Sequence, residues 1–340
     1  MSIAQSFANV PPLRAVSHLS CQGSLDASCY DEGMEFKAGF AAILGRPNAG
    51  KSTLVNRLVG QKVAIVSPKP QTTRNRILGI VNRDDAQVVL IDTPGIHKPE
   101  NELGRQMMEE VRQALESLDV LLLIVDAKAE FGAGDRFALE MVKGAKAPAI
   151  LLLNKVDAMA KERLLPLIDH YSKEHEFAEV IPISALTGDG MEIVLKEVVK
   201  RLPEHPPYFP PEQYTDQPER FLAGEIVREK AIVASRQEVP YAIAVLVESF
   251  EEGAKLIRIR ATIYVERDGQ KGIVIGKGGA MLKKIGTEAR LELEEILGTK
   301  IFLELYVKVL EDWRDRPALL RQLDWRRQLE RMSEREAEKT

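Results

Sequence analysis

Cysteine is nearly absent from this 340-residue chain, and its two cysteines, Cys21 and Cys29, both lie in the N-terminal stretch. A disulfide framework or a cysteine-based zinc site is therefore excluded from Asp31 onward. Long hydrophobic runs are also missing, because the longest, such as Val120–Val125, are far too short to span a bilayer. The chain has 47 Lys and Arg against 51 Asp and Glu, a formal net charge of −4. Any contact with nucleic acid must therefore come from a local basic patch, since no bulk positive field exists.

Residues 1–35 are predicted to be a disordered extension. They contain no basic segment leading into an apolar one, which a secretory signal requires. Met34 stands just before the first apolar run and offers an alternative start. We expect a cytoplasmic protein and a monomer.

Residues 36–203 alternate apolar runs with helix-length amphipathic segments, a pattern that predicts an α/β domain. Such alternation gives a mostly parallel sheet with helices on both faces. Ligands of these sheets bind beyond the carboxyl ends of the strands, where the polar residues of this segment fall. The predicted strands are "GFAAILG", "VVLIDTPG", "VLLLIVDA", "AILLLNK" and "VIPISA".

The composition changes after the last of these segments. Six prolines fall between Leu202 and Arg220, which predicts an extended, semi-rigid linker over residues 204–219. Residues 220–330 then read as a smaller α+β domain, with a first helix in "FLAGEIVREKAIV" and strands in "YAIAVLVESF", "AKLIRIRATIYVER" and "IFLELYVKVL". Leucines near the end of this domain are expected to pack on it, and residues 331–340 form a charged tail.

A phosphate-binding loop follows the first predicted strand. The stretch "GRPNAGKST" matches G-x-x-x-x-G-K-[ST] and opens a helix-length segment, which is the context that this motif needs. Backbone amides at a helix N-terminus cradle phosphates, Lys51 adds a positive charge at the β and γ phosphates, and Ser52 offers a hydroxyl to Mg²⁺. The nucleotide-binding residues predicted here are Gly45, Asn48, Ala49, Gly50, Lys51, Ser52 and Thr53.

Four further motifs follow in the order that a GTPase needs. In "DTPG", Asp92 is placed to hold Mg²⁺ through a water, and the Gly95 amide to meet a γ-phosphate. In "NKVD", Asp157 can accept two hydrogen bonds that guanine donates and adenine does not. The threonines of "QTTR" can close on the Mg²⁺, and "SAL" can present an amide to guanine O6. These motifs predict GTP/GDP with Mg²⁺ and add Asp92, Gly95, Asn154, Lys155, Asp157, Ser184 and Ala185 to the site.

The sequence has no glutamine at the position that orients the attacking water in Ras-like GTPases. Ile96 occupies the position after D-x-x-G where Ras-like enzymes use glutamine, and it cannot orient water. Either a partner completes the site or another charge replaces the missing group. Asn48 is placed to ligate K⁺ between the phosphates, so we hypothesise potassium-stimulated hydrolysis. Arg74 and Arg76 are interpreted as loop charges or partner contacts.

A second glycine loop, "GKGG" at Gly276–Gly279, predicts a nucleic-acid site. It is interpreted as a turn between a strand, "GIVI", and a helix, as in a KH module that clamps single-stranded nucleic acid. Apolar side chains, Ile273 and Ile275 with Met281 and Ile285, are expected to form a groove floor for bases. The predicted RNA-binding residues are Lys271, Ile273, Ile275, Gly276, Lys277, Gly278, Gly279, Lys283 and Lys284.

A GTPase, a proline-rich linker and a KH-like domain in this order resemble the Era family over everything after residue 36. The matching stretches are "GRPNAGKSTLVNRL", "SPKPQTTRNRILGI", "DTPGIHKP", "NKVD", "ISAL", "VERDGQK" and "LYVKV". The resemblance implies a type II KH domain and a GTPase that binds the 3′ end of 16S ribosomal RNA. It also implies a role in 30S subunit assembly and peripheral association with the inner face of the cell membrane. By similarity to GTPases with the same T-T-R loop, Thr73 is the switch ligand to Mg²⁺ and joins Lys51 and Gly95 as a catalytic residue.

Two alternatives stay open at this point. One is a GTPase associated with RNA modification, which incubation with RNA would reveal through a modified nucleotide. The other is an RNA-binding module whose GTP site is mainly structural, which predicts negligible turnover even with RNA present.

Overall fold

The computed structural model describes residues 36–69, 72–96, 98–116, 118–235 and 242–326. The predictions for residues 1–35, for Gln71 and for the tail 331–340 lie outside this range. Within it, no helix combines the length and the apolar character needed to cross a membrane.

In the first domain, the described residues alternate strands and helices as predicted. The strands are β1 (Lys37–Leu44), β2 (Ile77–Asn82), β3 (Ala86–Asp92), β4 (Val120–Asp126), β5 (Ala149–Asn154) and β6 (Glu179–Ile183). The helices are α1 (Lys51–Val59), α2 (Glu102–Glu116), α3 (Ala133–Gly144), α4 (Leu164–Glu174) and α5 (Met191–Val199).

These six strands form one sheet in the order β2-β3-β1-β4-β5-β6. All neighbours run parallel except β2, which pairs antiparallel with β3. Ile43 of β1 lies opposite Asp92 of β3, so the phosphate-binding loop and the "DTPG" turn leave the same edge of the sheet. Strand β2 is not among the predicted strands, because Gly79 interrupts its apolar run and weakens the pattern.

Adjacent residues of β4 show how the sheet separates two cores. Leu122 packs with Leu54 of α1 and Val194 of α5, whereas Leu123 packs with Val111 of α2 and Leu139 of α3. Side chains alternate along a strand, so these contacts show that both faces of the sheet are covered, which explains why the interior of its central strands is apolar on both sides. The prediction of a mostly parallel sheet with helices on both faces is confirmed.

The second domain is a smaller α+β unit with a sheet of its own. Its elements are α6 (Glu219–Ala234), β7 (Ala244–Glu252), β8 (Leu256–Val265), α7 (Asp268–Ile275), α8 (Ala280–Leu297), β9 (Lys300–Val309) and α9 (Pro317–Leu323). Strand β8 is central, antiparallel to β7 and parallel to β9. Val227 of α6 and Leu293 of α8 pack with Ile259 of β8, so the two long helices share one core with the sheet.

The predicted strand "GIVI" is wrong, because these residues end helix α7. The Gln270 side-chain oxygen accepts hydrogen bonds from the Glu266 and Arg267 amides, 2.8 and 3.1 Å away, and so caps the start of the helix. Val274 is fully buried while Ile273 is 41% exposed, which suits one face of a helix. Short apolar runs do not distinguish strand from helix, and the small helix penalty of β-branched residues is outweighed here by capping and packing.

The proline-rich segment before α6 lies along the first domain. Thr215 forms an isolated bridge with Gly79 of β2, and the Asn82 side chain donates to the Pro211 carbonyl over 2.8 Å. The segment therefore continues the edge of the first sheet. The domain boundaries drawn from the sequence stay a prediction.

The end of the described chain packs more widely than predicted. Leu319 and Leu320 of α9 contact Trp313 of the second domain, but also Leu103 and Met107 of α2 in the first. An apolar cluster therefore joins the two domains, which the sequence did not indicate.

Candidate functional site

A cavity of about 740 Å³ opens beyond the carboxyl ends of the parallel strands. Residues from all five predicted GTPase motifs line this cavity or lie directly behind its wall. Gly45, Ala49 and Asp92 are buried behind its wall. The predicted residues that line it are Asn48, Gly50, Lys51, Ser52, Thr53, Thr73, Gly95, Asn154, Lys155, Asp157, Ser184 and Ala185.

The phosphate-binding loop turns tightly into α1. Gly50 has φ 107°, and a Cβ there would lie 2.2 Å from Asn154 Nδ2, so only glycine fits. The Lys51 ammonium donates to the carbonyls of Gly45 and Arg46, 3.1 and 2.9 Å away, which curls its side chain over the loop. Burial lowers the pKa of Lys51 to about 8, with the charge of Asp92 opposing the shift. The loop therefore presents the first amides of α1 and a desolvated ammonium to an anion.

Three side-chain oxygens meet beside the loop. The Ser52 Oγ lies 2.8 Å from both Thr73 Oγ1 and Asp92 Oδ2, and the Thr73–Asp92 distance is 3.1 Å. Burial raises the pKa of Asp92, against the opposing charge of Lys51 and the two hydroxyl hydrogen bonds. The second carboxylate oxygen, Asp92 Oδ1, is buried with no hydrogen-bond partner among the described residues. Hydroxyl and carboxylate oxygens around an unsatisfied buried acceptor fit Mg²⁺, a hard cation.

Asn154 connects the two ends of the cavity. Its Nδ2 donates to the Ala49 carbonyl over 2.7 Å, and its Oδ1 accepts from the Ala185 amide over 2.9 Å. Lys155, in the left-handed conformation at φ 70°, donates to the Asn48 carbonyl over 2.8 Å. Asp157 is exposed in the cavity wall. The first two residues of "NKVD" thus brace the phosphate-binding loop, and Asp157 faces the ligand space.

The predicted amide for guanine O6 is already engaged, since the Ala185 N–H donates to Asn154. The next residue, Leu186, also lines the cavity and was not predicted. Arg57 of α1 donates to the carbonyls of Ala185 and Leu186 and so fixes this turn. No motif or spacing signals Arg57, because the contact spans more than 120 residues.

Ile96 and Asn48, the two residues considered for water activation, differ in burial. Ile96 is 1% exposed and its amide donates to the Gly45 carbonyl over 3.2 Å, so its side chain belongs to the core. Asn48, with φ 62°, donates from Nδ2 to the Pro68 carbonyl over 2.9 Å. This bond orients the Asn48 amide at the rim of the cavity.

Arg74 and Arg76 differ in how they contact the second half of the chain. Arg74 donates to the Ile243 carbonyl over 2.7 Å, and its guanidinium lies 5.2 Å from the Trp313 ring centroid. The Arg76 carbonyl accepts from Arg326. The Arg74 side chain thus has its partner in the other half of the same chain, and Arg76 contacts that half through its backbone carbonyl. Val233 of α6 also lines the nucleotide cavity, another contribution that the sequence did not indicate.

The second glycine loop is a tight turn between α7 and α8. Gly276 has φ 71°, and a Cβ there would lie 2.7 Å from Met281 Cβ. Around it the structure brings together Lys271, Ile273 and Ile275 on α7 with Lys277, Gly278 and Gly279 in the turn and Lys283 and Lys284 on α8. The expectation for Ile285 is wrong, because it is fully buried in the domain core and cannot form a groove floor.

Comparisons with known proteins agree with both halves of this description. The family model described as a 50S ribosome-binding GTPase matches residues 40–155, and the one described as a KH domain matches residues 238–314. Among solved structures, Era in complex with MgGDPNP and nucleotides 1506–1542 of 16S ribosomal RNA is 44% identical, with a TM-score of 0.83. A variant of Aquifex aeolicus Era bound to GDP·AlF4⁻ is also 44% identical, with a TM-score of 0.82. Each alignment covers 85% of this chain and 99% of the other.

Proposed function

The chain belongs to the Era family of GTPases, and from this premise we propose that it is a GTP-driven switch acting on small-subunit ribosomal RNA. It hydrolyses GTP to GDP and phosphate. One observation carries the proposal: a single chain combines a cavity lined by all five GTPase motifs with a G-x-x-G turn between two helices. In this proposal the RNA is the 3′-terminal region of 16S ribosomal RNA, and the process served is assembly of the small subunit.

The phosphate end of the cavity has three proposed catalytic residues. Lys51 holds the β and γ phosphates, and the Gly95 amide meets the γ-phosphate and senses its loss. Thr73 closes the switch loop on the site together with Ser52 and Asp92, which are the residues that would hold Mg²⁺. When bound, Mg²⁺ neutralises charge on the phosphate oxygens. Support comes from the convergence of the three oxygens within about 3 Å of one another.

The guanine end is proposed to select the base through Asp157. Its carboxylate accepts from N1 and the 2-amino group, while Asn154 and Lys155 keep the two loops in register. The contact to guanine O6 is proposed to come from the turn at Ser184 and Ala185. Because the Ala185 amide donates to Asn154 Oδ1, the next amide along, that of Leu186, is the proposed donor. Adenine lacks the donor pair, so the site favours GTP over ATP.

Water activation is proposed to depend on potassium. Ile96 is apolar and buried, so this position supplies no group to orient the water. The Asn48 amide, oriented by Pro68, would offer its oxygen to K⁺ beside the phosphates. Turnover is expected to be several-fold faster in potassium than in sodium buffer, and to lose that difference in Asn48→Ala. Equal turnover in both buffers for the unchanged protein would contradict the proposal.

The RNA contact is tested by hydrolysis with and without a single-stranded RNA carrying the 3′-end sequence of 16S ribosomal RNA. We expect stimulation that Lys277→Asp removes, because the substitution reverses the charge at the G-x-x-G turn. Lys255→Asp is the matched control, since exposed Lys255 precedes β8 at the end opposite α7. If both variants respond to RNA like the unchanged protein, the RNA contact lies elsewhere.

The remaining expectations have tests of their own. A modified nucleotide after incubation with RNA would favour the RNA-modification alternative, and turnover too slow to measure would favour the structural one. Peripheral membrane attachment and the monomeric state rest on the family likeness and on expectation from the sequence. Co-sedimentation with anionic vesicles and sedimentation equilibrium test them.

A further inference from the structure

The switch segment Thr72–Arg76 runs between the nucleotide cavity and the second domain. Thr73 points into the cavity, where its hydroxyl meets Ser52 and Asp92. Two groups beside it are held by the second domain, namely the backbone carbonyl of Thr72 and the side chain of Arg74. Whatever holds Thr72 and Arg74 therefore also fixes where Thr73 stands.

Arg228 of α6 holds the residue before Thr73. Its guanidinium donates to the Thr72 carbonyl, and it is itself fixed by Glu225 one turn earlier, with an Nε–Oε1 distance of 2.8 Å. Arg228 is only 2% exposed, so the bond lies in a low-dielectric interface where water does not easily replace it. The second domain thus supplies a preoriented donor to the switch segment.

Arg74, the residue after Thr73, is anchored to the second domain through its own side chain. It crosses into the second domain, donates to the Ile243 carbonyl over 2.7 Å and lies over the Trp313 ring. Trp313 is fully buried and donates from Nε1 to the Ala242 carbonyl over 2.7 Å, so this receiving surface is rigid. Thr73 therefore stands between two anchored neighbours, both anchored to the same domain.

The same helix also holds the start of the loop and connects to the proposed RNA site. Glu229, next to Arg228, accepts from the Val66 amide over 2.9 Å and pairs with Lys62. Glu292 of α8 pairs with Lys62 and with Lys230 of α6. Helix α8 begins directly after the G-x-x-G turn, so this one helix extends from the turn to Glu292 and its contacts with Lys62 and α6.

We propose that Arg228 and Arg74 are positioning residues through which the second domain sets Thr73 in the nucleotide site. The inference rests on the proposed role of Thr73. In this arrangement the GTPase site is complete only when α6 is in place together with the surface that Ile243 and Trp313 form. A shift of α6 caused by RNA at the G-x-x-G turn is then transmitted to the γ-phosphate end of the cavity.

The test compares GDP with the non-hydrolysable analogue GDPNP, in the full chain with Mg²⁺, for the unchanged protein, Arg228→Met and Arg228→Lys. A hydrogen bond from a charged group supports an expected loss of about tenfold in GDPNP affinity for Arg228→Met. GDP affinity is expected to stay within about twofold, because GDP has no γ-phosphate for the switch segment to close on. Arg228→Lys keeps a charged donor and should recover part of the loss. A general loss of stability would weaken both nucleotides alike.

Arg220→Met is the matched control. Arg220 lies on the same helix and also donates to backbone carbonyls, those of Val247 and Glu248, but within the second domain. Its variant should keep the GDPNP-to-GDP ratio. In the nucleotide-free protein, amide exchange at Thr73–Arg76 should be about tenfold faster in Arg228→Met and unchanged in Arg220→Met.

Thr73→Ala separates this inference from the proposed function. If Thr73→Ala leaves the GDPNP-to-GDP ratio unchanged, the proposed role of Thr73 is wrong. If it lowers the ratio while Arg228→Met does not, the positioning inference alone is overturned. Should Arg228→Met fail to fold, Arg74→Met with the same affinities and exchange rates decides, and an unchanged ratio there overturns the inference.

Discussion

Asn154 joins the phosphate-binding loop to the turn at the guanine end, so its replacement by alanine tests whether one side chain holds the cavity together. The substitution removes the bond to the Ala49 carbonyl and the bond from the Ala185 amide, 2.7 and 2.9 Å long. Asn154 is 2% exposed, so water has little access to the two groups that lose their partner. Each buried group left unsatisfied costs about 1–3 kcal/mol. We therefore expect unfolding to become easier by about 2–4 kcal/mol, with part of the cost recovered by water from the cavity.

Nucleotide binding should weaken as well, because the two loops that would contact the two ends of the nucleotide are no longer joined by a hydrogen-bonded side chain. A ligand at 100 times its Kd stabilises a fold by about 2.7 kcal/mol, and a tenfold weaker Kd reduces this to about 1.4 kcal/mol. Urea unfolding with and without GDP, at one fixed GDP concentration, measures both quantities. Asn82→Ala is the control, because Asn82 also joins two segments, through the Pro211 carbonyl, but lies away from the cavity. It should lose about 1 kcal/mol of stability and keep the full effect of GDP.

The reasoning is refuted if Asn154→Ala unfolds within about 0.5 kcal/mol of the unchanged protein and keeps the full stabilisation by GDP. The two bonds would then carry no net energy. If stability falls but the effect of GDP is unchanged, Asn154 supports the fold without organising the nucleotide site.

Three further predictions follow from the geometry. Asp157→Asn should shift preference from GTP to XTP, since an amide can donate to the 2-oxo group of xanthine; competition binding measures this, and retained GTP preference would contradict it. Gly276→Ala should destabilise the second domain by about 1–3 kcal/mol in urea, because φ is 71° and the added Cβ meets Met281; an unchanged midpoint would show that the turn relaxes. GDP binding should take up about half a proton at pH 8, where the phosphates of GDP are already ionised, because they raise the pKa of Lys51 from its burial-lowered value of about 8. Calorimetry in two buffers of different ionisation enthalpy measures that uptake, and proton release at pH 8 would contradict the assignment.

The sequence determined the first domain almost completely. Its central strands are continuous apolar runs ending in polar motifs, and parallel strands bring their carboxyl ends to one edge, so the motifs had to meet. The sequence did not predict the edge strand β2, because Gly79 interrupts a short apolar run. It predicted a strand where helix α7 ends, because the four residues of "GIVI" are too few to show a helical or a strand period. In both places the local signal was too short to compete with packing.

The tertiary structure alone decided how the site is held together. The Arg57, Arg74 and Arg228 contacts each join residues more than 120 positions apart, and no local pattern encodes a pairing over such a separation. A buried arginine is recognisable only when its carbonyl partner is known, since the residue type by itself favours the surface. The motifs therefore specify which chemistry the chain performs, whereas only the packing of the second domain shows that Arg74 and Arg228 link it to the segment around Thr73. The physical reason is that phosphate and guanine recognition needs short stretches of backbone, while positioning needs contacts between distant parts of the fold.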